Sequence, residues 1–99
     1  MDEYEIVNEE EIIDNLKGVY FIKIFTTLLK SEDIVPIVKV PYKEKNQDEI
    51  RDLYNVFIEV NGITLILRLY KTHDNIYYIG INKTLIPLQP NSFIFLKKE

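Results

Sequence analysis

The clearest pattern of hydrophobic and polar positions lies in residues 55–71, NVFIEVNGITLILRLYK. Two runs rich in β-branched and aromatic residues flank Asn61-Gly62, a dipeptide typical of a two-residue type I′ turn. The turn fixes the register of a β-hairpin with three facing apolar pairs, which are Val60 with Ile63, Ile58 with Leu65, and Val56 with Leu67. We expect these side chains to share one face of the sheet and to form core.

A further strand is predicted at residues 76–82, after a turn at Thr72-His73-Asp74-Asn75. Pairing Lys71 with Ile76 places Tyr70 opposite Tyr77 and sends Tyr78 to the core face. Gly80 marks a bulge or a close approach of another group to the backbone.

Two short helices are predicted. Asn8 and Glu11 have the spacing of a capping box before an apolar stripe, and Lys17-Gly18 is typical of a helix end, which predicts a helix over 9–17. Residues 47–53 are compatible with a second helix. Residues 19–29 favour a central strand that is covered on both faces, with a helix through Gly18 as the alternative.

Prolines shape the remaining predictions. Pro36 and Pro41 remove two backbone donors from residues 34–42, which predicts an edge strand. Residues 85–90 predict a loop, and SFIFL after it predicts the last strand. The fold class is therefore α+β, a mostly antiparallel sheet of about five or six strands with a short N-terminal helix, in one globular domain over 1–99.

Composition narrows the classes of function. The chain has 99 residues, of which 46% are hydrophobic and 28% charged, a balance typical of globular proteins. Its net charge of -4 argues against general binding to nucleic acids or anionic membranes. The absence of cysteine, the acidic first residues and the lack of an apolar run near 20 residues predict a cytoplasmic protein without a membrane span.

Catalytic chemistry has little support in the sequence. His73 is the only histidine, and it lies in a predicted turn without an associated nucleophile. Glu9, Glu10 and Glu11 are explained by the positive end of a helix dipole. No phosphate-binding, nucleophile-elbow or zinc motif is present. We therefore expect no enzyme activity, no catalytic residue, no metal and no cofactor.

The second face of the predicted sheet is the candidate partner-binding face. It combines aromatic and aliphatic side chains with one arginine, a composition typical of interface hot spots. Its members are Phe57, Ile66, Arg68, Tyr70, Tyr77 and Ile79. The expected function is non-enzymatic binding of a host or viral protein, or self-association as a homodimer. A second core layer under a helix and a base-stacking platform for nucleic acid are the alternatives.

Two resemblances add expectations. The order IVPIVKVP, VFIEV, ITLILRL, NIYYIGI and SFIFL resembles the N-terminal half of ribosome-inactivating toxin A chains. That resemblance implies a β-meander, with Tyr77 at the position of the tyrosine that stacks on the target adenine. It implies no N-glycosidase activity, because the half of those chains that carries the catalytic glutamate and arginine has no counterpart here.

The lack of cysteine, tryptophan and alanine resembles the small orphan proteins of filamentous viruses that infect hyperthermophilic acidophilic archaea. Segments such as DEYEIVNEEEIIDN and YKEKNQDEIRDLYN share that character. This resemblance implies a viral or accessory factor in a host cytoplasm, resistant to heat and acid.

Overall fold

The structure, a computed structural model, describes residues 3–12, 17–25, 34–41 and 50–99. Within these ranges the chain forms one 3₁₀ turn, Glu9–Glu11, and eight β-strands. The strands are β1 (Tyr4–Val7), β2 (Tyr20–Ile24), β3 (Ile34–Val40), β4 (Ile50–Val60), β5 (Ile63–Thr72), β6 (Tyr77–Ile81), β7 (Thr84–Leu88) and β8 (Phe93–Lys98).

All eight strands belong to one antiparallel sheet with the order β1-β8-β2-β3-β4-β5-β6-β7. The chain follows a meander from β2 to β7, and β8 then returns to lie between β1 and β2. Pro87 lies in β7, an edge strand, where a missing backbone donor is tolerated.

The sheet is strongly curled. Four strands separate β6 from β8 in the sheet order, yet the rings of Tyr77 and Phe93 lie 4.9 Å apart. The connection from β7 to β8 is only residues 89–92, which span at most about 14 Å when extended. The concave face therefore closes around the core, and the two halves of the sheet pack against each other.

The core consists of the alternate residues that point into this concave face. The fully buried side chains are Tyr54, Ile12, Ile22, Ile37, Leu69, Ile79 and Val56. Ile12 follows the 3₁₀ turn and covers the interior from the N-terminal side. The N-terminal segment therefore helps to close the core.

The predicted α+β fold class is wrong. The described residues contain eight strands rather than five or six, and their helical structure is limited to the single 3₁₀ turn. The capping interaction does form, since the Asn8 amide donates to Glu11 Oε2 at 3.1 Å. It closes one turn, and residues 13–16 of the predicted helix lie outside the described residues.

The second predicted helix is also wrong where the structure describes it. Residues 50–53 belong to β4, while 47–49 lie outside the described residues. The strand that was favoured for 19–29 is confirmed over Tyr20–Ile24, with residues 26–29 outside the described part of the chain. This strand is central, and both Phe21 and Ile22 are buried.

Two predictions from proline are wrong. Ile34–Val40 of the segment 34–42 does not form an edge strand, because β3 lies between β2 and β4, and residue 42 lies outside the described residues. Pro36 lies opposite Phe21 of β2 but outside the β3–β4 ladder, which begins at Ile37, so the proline has a strand on one side only. The loop predicted at 85–90 is largely β7, which extends the sheet beyond β6.

Candidate interaction surface

The hairpin of β4 and β5 extends beyond its neighbours in the sheet. β3 pairs with β4 only at residues 53–56, and β6 pairs with β5 only at 68–71. Among the described residues, no third strand pairs with 57–60 or 63–67. We call residues 57–67 the hairpin arm, a two-stranded ribbon whose two edges are open with respect to the described strands.

The turn at the tip of the arm confirms the sequence prediction. Asn61 and Gly62 have φ values of 51° and 79°, the left-handed conformation that a type I′ turn requires at both central positions. Val60 pairs with Ile63, Ile58 with Leu65 and Val56 with Leu67. Local turn chemistry thus sets the register of the longest hairpin in the described structure.

The arm nevertheless exposes most of the side chains that were predicted to form core. Val60 is 45% exposed, Ile63 64% and Leu65 47%, while Ile58 is half-buried. On the other face of the arm Ile66 is 54% exposed. The expectation of deep burial for Val60, Ile58 and Leu65 is wrong, because among the described residues the pairing of β3 with β4 stops at Val56 and that of β6 with β5 stops at Arg68.

The structure does not keep the six predicted partner-binding residues on one face. Phe57, Ile66, Arg68 and Tyr70 share the convex face, where Phe57 pairs with Ile66. Tyr77 and Ile79 point into the core, and Ile79 is fully buried. The predicted pairing of Lys71 with Ile76 is wrong, because Lys71 pairs with Tyr77 and Tyr70 with Tyr78. This one-residue difference exchanges the two faces of β6.

Gly80 allows close packing on the convex face. A Cβ atom at this position would lie 3.0 Å from a ring carbon of Tyr70 and 3.5 Å from a methyl group of Leu85. The close approach that was predicted from the glycine is confirmed. Tyr70 therefore packs on the backbone of β6, and Leu85, which is 56% exposed, extends the apolar surface to β7.

A buried polar cluster on the concave face was missed at the sequence level. Lys71 Nζ donates to Glu9 Oε2 at 2.7 Å, and the Tyr54 hydroxyl donates to Glu9 Oε1 at 3.2 Å. The side chains of Lys71 and Glu9 are only 7% and 11% exposed. Both carboxylate oxygens are engaged, so the cluster anchors the 3₁₀ turn to β4 and β5.

The alternation of β5 contained a signal for this cluster. Side chains alternate between the two faces of a strand, so Lys71 points to the same face as Leu67 and Leu69. It therefore lies on the core face and needs a buried partner. The sequence does not reveal which carboxylate supplies it, since Glu9 lies 62 residues away along the chain. The glutamate that was assigned to a helix dipole is instead the counter-ion of a buried lysine.

Two tyrosines next to this cluster are held neutral. Burial raises the pKa of Tyr54 well above its ordinary value, and the negative charges of Glu9 and Asp52 raise it further. The pKa of Tyr77 is raised in the same way, by burial first and then by Glu9 and Asp52. Asp52 also pairs with Lys39 at 3.4 Å. The Tyr54 hydroxyl therefore acts as a neutral hydrogen-bond donor to Glu9.

His73 is exposed in the turn after β5. Within the described ranges, no group of three or more histidine, cysteine, aspartate or glutamate residues is placed to hold a metal ion. A membrane-spanning helix is also absent from the part of the chain that the structure describes.

Comparison of the chain with protein-family models, with curated proteins and with solved structures finds no match. The resemblances to toxin A chains and to archaeal virus proteins therefore stay predictions. The functional interpretation of this surface depends on the geometry of the hairpin arm, on the chemistry of its open edges and on its exposed apolar side chains.

Proposed function

We propose that this chain is a non-enzymatic interaction protein that binds a second copy of itself through the open edge of β5. The observation that carries the proposal is the hairpin arm, which exposes Ile63, Leu65 and Ile66 along a strand edge that lacks a neighbour among the described residues. Exposed edges of this kind are templates for pairing with another strand.

The chemistry of the open β5 edge favours self-pairing. The open stretch is 63–67, ITLIL, which contains no charged residue, no proline and no glycine. Such short, uncharged, β-prone segments pair readily with identical segments. In an antiparallel pair about a two-fold axis at Leu65, Leu65 faces its own copy and Ile63 faces Leu67.

Charge distribution also distinguishes the two edges of the arm. When two copies of β5 pair about Leu65, Arg68 of one copy lies opposite Gly62 of the other, so no like charges meet. The open edge of β4 covers 57–60 and contains Glu59. Self-pairing there would bring two copies of Glu59 near the two-fold axis, which is unfavourable. The β5 edge is therefore the proposed contact.

The nucleic-acid alternative has less support. A stacking platform needs its aromatic side chains on one accessible face. Tyr77 contacts Phe93 and Phe95 on the concave side, while Tyr70 lies on the convex side. The proposed setting is the cytoplasm, where a chain without cysteine and with a self-pairing strand edge can act as a viral or accessory factor.

Sedimentation equilibrium tests the proposal. We expect the wild-type chain to form dimers with a dissociation constant on the order of 10 µM, in the range of small interfaces. Leu65→Lys should be monomeric, because it places two ammonium groups face to face at the axis. Leu85→Lys is the matched control, since Leu85 is similarly exposed but lies on β7, and it should still dimerise.

Two results would overturn self-pairing. One is a wild-type chain that stays monomeric at about 1 mM, well above the expected dissociation constant. The other is a Leu65→Lys variant that dimerises as well as the Leu85→Lys control. A monomeric chain that binds a host or viral protein through the arm would also reject the second copy as the occupant.

A further inference from the structure

A second feature, separate from the hairpin arm, is a cavity of about 400 Å³ at the end of the sheet where the β5–β6 turn meets the β7–β8 turn. Its lining includes Tyr77, Phe93, Pro87, Pro90, Asn75 and Gln89. Small-molecule sites commonly have volumes in the range of roughly 300–1,000 Å³ and combine aromatic walls with a few polar groups.

The aromatic walls are already fixed by packing. The rings of Tyr77 and Phe93 meet at 68° with their centroids 4.9 Å apart, and Tyr77 also packs against Phe95 at 6.0 Å. The ammonium group of Lys71 lies 5.7 Å from the centroid of the Tyr77 ring. Tyr77 therefore has little freedom to turn, and the corner formed by the two inclined rings exists before any ligand binds.

The turns that complete the cavity are held by hydrogen bonds. The backbone amide of Asn75 donates to the Thr72 carbonyl at 3.0 Å, and the backbone amide of Ile76 donates to Thr72 Oγ1 at 3.2 Å. The Ser92 hydroxyl donates to the Gln89 carbonyl at 2.7 Å. The residues that bear carboxamides, Asn75 and Gln89, thus lie in ordered turns rather than on free ends.

The lining residues that the structure describes carry no formal charge. They include no aspartate, glutamate, lysine, arginine or histidine, and burial raises the pKa of the Tyr77 phenol, which stays protonated at neutral pH. Asn75 and Gln89 each carry a carboxamide, which supplies both a hydrogen-bond donor and an acceptor. A charged ligand would lose hydration here, and the described lining residues offer it no counter-ion, because the nearby Lys71 is already paired with Glu9.

We infer that this cavity binds a neutral, planar aromatic molecule that carries an amide-type hydrogen-bonding edge. The ring packs in the corner formed by Tyr77 and Phe93, where an edge-to-face contact is available. The donor and acceptor of its edge pair with the carboxamides of Asn75 and Gln89. The cavity is distinct from the self-pairing edge, so the two proposals stand independently.

Benzamide is the probe for this site, followed by ¹⁵N chemical-shift titration of the full chain. A ligand of this size should bind with a dissociation constant on the order of 1 mM. The shifts should saturate and should cluster at residues 75–77 and 87–93. Benzoate, which has the same shape but a negative charge, should bind about tenfold more weakly.

Three variants make the test specific. Ile76→Trp places a large side chain at the cavity, where Ile76 is 42% exposed, and should abolish the saturable shifts. Ile6→Trp makes the same change at a 70% exposed position on β1 and should bind benzamide like the wild type. Gln89→Leu, at another exposed position, should weaken benzamide binding several-fold without unfolding the chain.

The inference is overturned by shifts that do not saturate, by equal binding of benzamide and benzoate, or by shifts that centre on the hairpin arm. It is also overturned if Gln89→Leu and a folded Ile76→Trp variant both bind as tightly as the wild type. A dispersed amide spectrum establishes that each variant is folded.

Discussion

At the scale of single residues, backbone conformation and buried charge decide most of what this sequence specifies. Asn61-Gly62 could be predicted as a turn because both residues tolerate positive φ. The second tight turn, Asn82-Lys83, could not be predicted in this way. Both of its residues have positive φ, 47° and 65°, although lysine gives no sequence signal for it.

The two turns provide a matched pair of substitutions. Lys83→Gly should stabilise the fold by roughly 0.5–1 kcal/mol, since glycine adopts the left-handed conformation without the Cβ conflict. Gly62→Lys should destabilise the fold by a similar amount at φ 79°. Urea denaturation of both variants measures the effects. A destabilised Lys83→Gly variant would show that this side chain stabilises the turn in some other way.

The buried pair of Lys71 and Glu9 makes a second residue-scale prediction. Lys71→Met leaves the Glu9 carboxylate buried without its counter-ion and should destabilise the fold by about 3–5 kcal/mol. Adding Glu9→Gln should recover much of that loss by removing the charge. Thermal and chemical unfolding of the single and double variants measure the coupling between the two residues.

Lys39→Met is the matched control for this experiment. Lys39 pairs with Asp52 at 3.4 Å, but its side chain is 28% exposed, so the change should alter stability by less than about 1 kcal/mol. If Lys71→Met were no more damaging than Lys39→Met, the cluster would not anchor the N-terminal segment to β4 and β5.

At the scale of elements, local signals predicted strands well and their register only in part. The hairpin register of β4 and β5 followed from a two-residue turn, which allows only one pairing. The turn from β5 to β6 includes one more residue than predicted, with Asn75 at φ 64° and the Thr72 amide bonded to the Ile76 carbonyl. This single extra residue moved Tyr77 and Ile79 from the candidate face into the core.

The helix prediction failed for a related reason. The capping interaction of Asn8 with Glu11 is local and does form, but it is compatible with a single 3₁₀ turn. Burial of Ile12 and the ion pair of Glu9 with Lys71 fix this segment against the sheet. Those contacts come from strands far along the chain, so local spacing could not predict them.

The different surroundings of two leucines on β5 yield a third prediction. Leu69→Ala should destabilise the fold by about 2–5 kcal/mol, because Leu69 is fully buried between β4 and β6. Leu65→Ala changes the same residue type on the same face, but Leu65 is 47% exposed and should cost less than about 1 kcal/mol.

Chemical denaturation at a protein concentration below the dimer dissociation constant makes this comparison. At such a low protein concentration the chain is monomeric, so the measured free energy of unfolding does not include the loss of dimer contacts. Equal destabilisation by the two substitutions would mean that the hairpin arm is packed as core, and the account of an exposed edge would fail.

At the scale of the whole molecule, the prediction of the fold class was wrong because two of the strands have only a weak sequence pattern. β1 and β7 are short edge strands, and β7 contains a proline, so neither resembled a strand in isolation. β1 pairs with β8 from the far end of the sequence, and β7 pairs with β6 across the Asn82-Lys83 turn, which has no glycine to indicate it. The open edge of β5 likewise depends on where β6 ends, which no local pattern in residues 63–67 reveals.

The central claim is that this edge pairs with itself about Leu65, and cysteine cross-linking tests it most directly. The chain has no native cysteine, so Leu65→Cys introduces the only thiol. Directly opposed residues have Cα atoms about 4.5–5.5 Å apart, within the disulfide range of about 4.4–6.8 Å. Thr64→Cys is the control, because its two copies would lie offset by two residues and beyond that range.

Mild oxidation of both folded variants, followed by non-reducing electrophoresis, gives the answer. We predict that Leu65→Cys forms a covalent dimer rapidly and that Thr64→Cys reacts much more slowly. Equal rates for the two variants, or a Leu65→Cys chain that stays monomeric at high concentration, would contradict self-pairing of the hairpin arm.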